Sequence, residues 1–335
     1  RVTMKKTDTP AEIMAEETEK YEEDRRSDDL EIRYRAEMEK PQDFFREMYR
    51  VDLQDALDYL EEYDSEFYRV EKDYISGTVA MDSSAQGYRG ISTYNSVMNG
   101  YVKDFVETCV PELFFADYNH YTFWNHVEDN RLAAFLGIRY ILSGDGNPDE
   151  SEWKLLDKVG SLYIHENALE AGTAHFYTTA ISEDSLRELC AEETRDLLLE
   201  GAIALEDGED VDSMEEFDAL ISGGEMENGN TQNGESADVG EKAAGTPEEA
   251  SYVTLDAPEK DSRITGSIHA ENEGYALFMI PYEDGWELTI DGEEAELLRG
   301  DIGFLACEVP EGDHTLQLTL PSAACANFFY NGNFG

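Results

Sequence analysis

The part of this chain that most limits its fold is the stretch from Ser267 to Leu320, where apolar and polar residues alternate in short runs broken by turn residues. From Tyr275 to Ile280 every position is apolar, which suits a strand buried on both faces, and Pro281 stops it. Trp286, Leu288 and Ile290 share one face while Glu287 and Thr289 take the other, the pattern of a half-solvated strand. Asp291-Gly292 predicts a tight hairpin, because both residues tolerate the positive φ that a type I′ turn requires. Phe304 to Val309 gives a third strand, Glu311-Gly312 a turn, and His314 to Leu320 a fourth strand with Leu316, Leu318 and Leu320 on one face. Four short strands cannot stand as an isolated sheet, so a second sheet must cover their apolar face. Tyr252 to Leu255 and Ser262 to Ile268 can supply its strands.

Upstream the period changes. Residues 1–40 are dense in mixed charge with only sparse apolar residues, and read as a helical or flexible tether. Residues 41–205 read as a small α/β domain. Phe45, Met48, Tyr49, Leu53, Ala56, Leu57 and Leu60 recur at helical spacing and predict a helix over Gln42 to Tyr63. Phe67 to Val70 is a short strand. Ser92 or Thr93 is the expected cap of a helix that runs to Val110 and ends at Pro111. The aromatic cluster from Phe114 to Trp124 follows and reads as core or lid packing. Asn130 to Gly137 is a short helix closed by Gly137, and the strand Ile138 to Leu142 runs straight from it. Strand, helix and strand in so short a span imply parallel pairing. Leu162 to His165 and His175 to Ile181 are further strands, and Ser182 caps a helix expected to reach Leu205.

Residues 206–250 are expected as an acidic disordered linker or insert. From Ser182 to Ala250 there are 22 Asp and Glu against 3 Lys and Arg, and Gly223 to Thr246 has no aromatic residue to bury. Residues 251–322 then form a jelly-roll-like sandwich, and 323–335 a tail. The expected class is α+β: a small α/β domain followed by a C-terminal antiparallel β-sandwich.

Composition narrows the partners. A formal net charge of −51 repels nucleic acid and anionic headgroups, so no nucleic-acid partner is expected. With 41% hydrophobic and 11% aromatic residues the chain can fill a core, so its mean hydropathy of −0.55 reflects acidity. No apolar run is long enough for a membrane helix; the most apolar stretch, Leu132 to Leu142, is short and carries Arg139. The chain opens on Arg1-Val2 without a signal-type segment, and a domain excised from a larger protein is the expectation. Cys109, Cys190, Cys307 and Cys325 lack CxxC spacing, so no zinc site is expected. Isolated apolar thiols and one extracytoplasmic disulfide both fit them.

Chemistry is sparsely signalled. His120 and His126, near Asp117 and Glu128, lack regular metal-ligand spacing, and the acidic run from Glu206 to Asp212 misses the EF-hand register, so no metal ligand is assigned. There is no GxSxG, P-loop or dinucleotide fingerprint. Carboxylate pairs are too common here to single out a glycosidase pair, and no catalytic residue is assigned. The most site-like stretch runs from Tyr88 to Ser96. There Arg89, Ser92, Tyr94 and Asn95 join a phosphate-gripping guanidinium and hydroxyls to an expected helix start whose free N–H groups attract anions. Arg69 on the preceding strand is expected to face the same place. A loop leading into an ordinary capped helix is the plainer reading. Trp286 is a candidate sugar-stacking face, against the plainer reading of sandwich core.

The order Ile280-Pro281-Tyr282-x-x-Gly285-Trp286-x-Leu288-x-Ile290-Asp291-Gly292, then Gly312-x-His314-x-Leu316-x-Leu318, resembles the end of the soluble domain of the YfhO family of bacterial multi-pass membrane proteins. Phe67-Tyr68-Arg69-Val70, Gly90 to Ser96, Leu136 to Leu142 and Leu162 to Asn167 fit that family in the same order, so the resemblance runs from Glu66 to Leu320. It implies the extracytoplasmic domain of a protein similar to the polytopic glycosyltransferases that use lipid-linked sugars, acting on cell-envelope polymers such as lipoteichoic acid. It further implies that the acidic catalytic residue lies in membrane-proximal loops outside this chain, and that this domain positions substrate without turning it over. The implied partners are the protein's own transmembrane region and a lipid-linked sugar or envelope polymer. No cofactor is expected in this domain, and any divalent cation belongs to the whole protein. The match also weights the stretch around Arg89, Ser92, Tyr94 and Asn95 towards substrate binding. The acidic insert and the tail after Pro321 depart from the family pattern. A non-catalytic cell-surface carbohydrate-binding module is the alternative, and a hydrolase is a third reading with no motif behind it.

Overall fold

The computed structural model describes residues 51–73, 83, 86–94, 99–113, 120–121, 129–144, 148–189, 191–211, 216–217, 219, 251–258 and 263–320. The expected tether, the start of the first helix, most of the aromatic cluster, Asn95, the centre of the acidic stretch and the tail lie outside these residues.

Helix α1 (Val51–Tyr63) forms because Leu53, Ala56, Leu57 and Leu60 fall on one buried face. Strand β1 (Arg69–Lys72) follows, then the short β2 (Thr93–Tyr94). The next helix, α2 (Gly100–Cys109), starts at Asn99 and not at Ser92 or Thr93. Asn99 Oδ1 accepts the N–H groups of Tyr101 and Val102, whereas the Ser92 hydroxyl donates to the Glu71 carboxylate at 2.8 Å. Pro111 ends the helix in a single 3₁₀ turn, Pro111–Leu113, as expected. The short β3 (His120–Tyr121) pairs with β2. Helix α3 (Asn130–Phe135), capped by Asp129, closes at Gly137 with φ 75°, and β4 (Ile138–Ser143) runs on from it.

Strand β5 (Trp153–Val159) carries no apolar alternation; only Trp153 is buried, and its pairing with β6 (Leu162–Asn167) slips register between Leu155 and Asp157. Strands β7 (Ala174–Tyr177) and β8 (Ala180–Ser182) come next. The single helix expected after Ser182 is two. Helix α4 (Glu183–Glu188), capped by Ser182, stops where Leu189 turns extended, and α5 (Ala191–Glu200) gives way at Gly201, φ 127°, to strand β9 (Ile203–Leu205). Ile203, Ala204 and Leu205 are all buried, so sheet pairing serves this segment better than another helical turn.

The remaining strands are β10 (Tyr252–Leu255), β11 (Arg263–Ala270), β12 (Gly274–Pro281), β13 (Glu287–Ile290), β14 (Glu293–Ala295), β15 (Leu298–Gly300), β16 (Phe304–Val309) and β17 (Gly312–Thr319). Asp291 and Gly292, at φ 54° and 82°, make the expected tight turn between β13 and β14. The strands assigned to one sheet from the sequence divide between two. β13 and β17 lie in a five-stranded sheet of order β10-β11-β17-β13-β14, while β12 and β16 lie in a six-stranded sheet of order β7-β12-β16-β15-β9-β8. So β10 and β11 extend the sheet they were expected to cover, and β7, β8 and β9 cross the domain line drawn at 205 to complete its partner. A third sheet, of order β1-β4-β6-β5, pairs β1 with β4 in parallel and the rest antiparallel. The fold is α+β.

Strand β12 sits at the centre. Ala276, Phe278 and Ile280 pack between the two large sheets with Leu288, Leu316 and Leu318, while Leu277 and Met279 pack on the other side with Val102, Phe105, Leu132 and Leu197. It is buried on both faces, as its unbroken apolar run requires. A third core fills the space under α1, where Leu53, Leu57 and Leu60 meet Tyr140, Leu142 and Ile164.

Candidate functional site

Arg69 marks the junction between the helical layer and the sandwich. Its side chain is fully buried, and its guanidinium donates from Nη1 to Leu136 O at 2.6 Å and from Nη2 to Met279 O. One side chain thereby ties the end of α3 to the central strand β12. Gly137 makes the approach feasible: a Cβ there would lie 2.7 Å from Thr173 Cγ2 and 3.1 Å from Arg69 Nη1. Thr173 closes the same corner by donating its hydroxyl to Phe67 O at 3.1 Å. Arg89, half-buried, lies 5.3 Å from the Phe67 ring centroid, and Arg69 lies 5.9 Å from it.

The stretch around Ser92 is organised by Glu71, a residue the sequence did not single out. Its buried carboxylate accepts the N–H of Ile91 at 2.6 Å, the N–H of Ser92 at 2.8 Å and the Ser92 hydroxyl at 2.8 Å. Burial pushes its pKa up, and these hydrogen bonds with the neighbouring Lys72 charge oppose that shift. A Cβ on Gly90 would sit 3.0 Å from Tyr88 and 3.1 Å from Glu71 Oε1, so the glycine admits the chain to this corner. Tyr94 lies on β2, opposite His120. Trp286 is 7% exposed and buried among the residues between the two large sheets, in the same core cluster as Phe67. The structure thus gathers Arg69 and Arg89 around Phe67, holds Ser92 against Glu71, and buries Trp286 in the sandwich core that Phe67 joins.

On the open side of this junction lies a cleft of about 520 Å³, lined by the edge strands β7 and β10 and by α3 and α5. Arg139 on its wall is committed: it meets Asp64 at 2.7 Å and Glu66 at 2.8 Å and donates from Nε to Ala171 O at 3.1 Å. His175 stacks on the Phe135 ring, with centroids 5.3 Å apart and 15° between planes, and its Nε2 lies 2.8 Å from Phe135 O. A carbonyl only accepts, so Nε2 carries the proton of that bond. Burial lowers the pKa of His175 and the Arg69 charge lowers it further, against the Phe135 contact, so the ring is neutral with a lone pair on Nδ1. Arg131 is exposed at the rim, and among the described residues no carboxylate lies within 4 Å of it.

A family profile described as "Bacterial membrane protein YfhO" matches residues 37–256 and 250–321 of the chain. The chain belongs to the YfhO family. Within it, the "Uncharacterized protein YfhO" of Bacillus subtilis (strain 168) is 36% identical over 58 residues, which cover 17% of this chain and 7% of that relative's length. No solved structure matches. Although YfhO is a family of membrane proteins, no helix among the described residues is long and apolar enough to cross a bilayer.

This YfhO chain also buries acids that sequence reasoning passed over. Asp301 is fully buried at φ 47°; its Oδ1 accepts the Ala204 N–H at 2.8 Å, and its Oδ2 has no hydrogen-bond partner among the described residues. Burial raises its pKa to about 7, with the Ala204 hydrogen bond opposing and the Glu183 carboxylate adding to the rise. Glu183 itself pairs with Arg299 at 2.9 Å. Cys109 and Cys307 are buried free thiols, and burial pushes Cys307 up to about 12, so neither serves as a nucleophile. In a chain with 76 acidic residues no spacing distinguishes Glu71 or Asp301 from the solvated majority. Glu71 lies one residue past the strand read from the sequence, on a strand that the structure buries at every position.

Proposed function

We propose that this chain is the extracytoplasmic part of a glycosyltransferase-like membrane protein, and that it positions substrate for chemistry carried out elsewhere in that protein. The donor is a lipid-linked sugar and the acceptor a cell-envelope polymer of the lipoteichoic acid type. The observation that carries this reading is the YfhO family match, which runs from residue 37 to residue 321. The cleft agrees with it. Its carboxylate Glu66 is held by Arg139 and its histidine is neutral and bonded to a carbonyl, an arrangement for binding and orienting rather than for attack. Arg89 keeps a half-buried position from which it can meet a ligand; Arg69, Ser92 and Trp286 act by holding the walls in place.

The test is transfer of a labelled sugar from a lipid-linked donor to envelope polymer by the whole protein in vesicles. The whole protein transfers, this chain alone does not, and the whole protein without this region loses acceptor saturation. Transfer or hydrolysis by the isolated chain overturns the reading. The alternative, a non-catalytic carbohydrate-binding module, draws on Tyr252. It is 47% exposed and stacks on His269 with centroids 5.5 Å apart, on the polar outer face of the five-stranded sheet. Glycan binding by the chain, beside a whole protein that transfers nothing, supports that module.

A further inference from the structure

We propose that His314 is a proton-operated latch in the sandwich: its imidazolium joins the β13–β14 turn to the turn between β16 and β17, and loss of one ring proton frees the β13–β14 hairpin. The device is independent of the substrate-positioning reading above.

The geometry fixes the protonation state. His314 Nδ1 lies 2.8 Å from Asp291 Oδ2, and Nε2 lies 3.2 Å from Pro310 O. A carbonyl oxygen and an ionised carboxylate both only accept, so both ring nitrogens donate and the ring is a cation. Asp291 is ionised, because its Oδ1 accepts the Thr315 N–H at 2.9 Å and the Thr315 hydroxyl at 3.2 Å. The Thr315 N–H, followed by the His314 bond, holds its pKa below the ordinary carboxylate range. His269 and His175 each meet one acceptor among the described residues, Asp313 and Phe135 O, and a neutral tautomer satisfies either contact.

The connection makes this cation a latch. β16 belongs to the six-stranded sheet and β17 to the five-stranded one, so the turn holding Pro310 is where the chain passes between sheets. Asp291 opens the β13–β14 turn at φ 54°. β14 is an edge strand of three residues that pairs with β13. His314 therefore clips the weakly held edge of one sheet to the crossover between the two. A short edge hairpin opens locally at low cost unless something outside its own ladder restrains it.

Charge agrees. The ring stands at the wall of a cleft of about 830 Å³ whose other charged lining is acidic: Asp291, Glu293, Glu294 and Glu296 around β14, Glu308 on β16 and Glu273 ahead of β12. Glu311 follows Pro310 in the turn, and Asp313, beside His314 on β17, is taken by His269 at 2.6 Å. The Asp291 hydrogen bond, with the Asp291 charge and the Pro310 carbonyl, outweighs the cost of burial and holds the His314 pKa above its ordinary value. A histidine raised in this way adds stability that is complete below the unfolded value of about 6.5 and fades as pH rises through the native one. The latch is therefore closed at about pH 6 and opens as pH climbs. On the acid side it is lost only below the depressed Asp291 value.

The test is a pH titration of the chain followed by imidazole nitrogen-15 spectra and by amide exchange corrected for its intrinsic rate, on wild type, His314→Gln and Asp291→Asn. We expect His314 to carry protons on both ring nitrogens at about pH 6. The Asp291 amide, which donates to Thr315 O, and the Thr315 amide, which donates to Asp291, should lose protection by roughly tenfold or more over the range in which His314 titrates. His314→Gln should abolish that pH response. Asp291→Asn keeps a residue that tolerates the positive φ of the turn and should lower the His314 midpoint. A singly protonated ring at about pH 6, protection that ignores the His314 titration, or an alkaline loss that persists in His314→Gln would each overturn the latch. Asp301 titrates in wild type and in His314→Gln alike, so its contribution cancels in that comparison. If a variant fails to fold, the two wild-type titrations still decide.

Discussion

Arg69 and Arg131 meet the two ends of the same short helix and spend their donors differently. Arg69 reaches the carbonyl that closes α3 and a second carbonyl on β12, in a space sealed from solvent. Arg131, on the first turn of α3, is exposed at the rim of an open cleft, with no carboxylate within 4 Å of it among the described residues. The same residue type is a structural tie in one place and a solvent-facing rim residue in the other. What separates them is whether the surrounding backbone has already consumed their hydrogen bonds.

Four measurements press on this contrast. The largest effect belongs to Arg69→Met, which leaves the Leu136 and Met279 carbonyls unsatisfied in a dry interior. Urea denaturation should show a loss of roughly 3–5 kcal/mol, and a loss below about 1 kcal/mol would remove Arg69 as the tie.

Next comes the pH response of Asp301. Its carboxyl titrates near 7 in the fold and near 4 when unfolded, so between those values the native state holds a proton that the unfolded state has given up. Stability should therefore fall as pH rises from about 4 to about 7, by on the order of 4 kcal/mol at most, and level off above. Asp301→Asn, which keeps the oxygen that meets Ala204, should flatten that slope.

Glu71→Gln comes third, with an expected cost of about 1–3 kcal/mol and faster amide exchange at Ile91 and Ser92. Unchanged exchange would mean that the corner is held by packing alone. The smallest effect is that of Arg131→Gln, expected to shift stability by no more than about 0.5 kcal/mol. A large destabilisation there would erase the contrast with Arg69.

Local chemistry was legible wherever it settles its own conformation. Gly137 announces the end of α3, Asp291-Gly292 the tight turn, and the unbroken run from Tyr275 to Ile280 a strand with two covered faces. Pairing was not legible. Leu277 meets His175 across about a hundred residues of sequence, and alternation states which face is buried without naming the neighbouring strand. The same holds for β5, where charged residues line a strand with one buried residue and a slipped register. At the site, Ser92 looked like a helix cap because its own residue type allows it. Asn99 takes that role since the carboxylate of Glu71, 21 residues before Ser92, claims the Ser92 hydroxyl. The cleft stayed hidden because an arginine without a partner can be recognised only once its neighbours in space are known.

Strand β12 has one more consequence, for the order in which the chain is made. Its flank on β7 belongs to residues 174–177, while β12 and β16 lie at 274–309, so the six-stranded sheet needs segments that leave the ribosome far apart in time. Until β12 arrives, β7 presents an open edge with nothing to pair it, the kind of surface that recruits a second copy during slow, long-range assembly. A chain ended before Gly274 would keep that edge permanently, so the part whose sequence reads as a self-sufficient α/β domain cannot be cut out there without leaving a strand that seeks another partner.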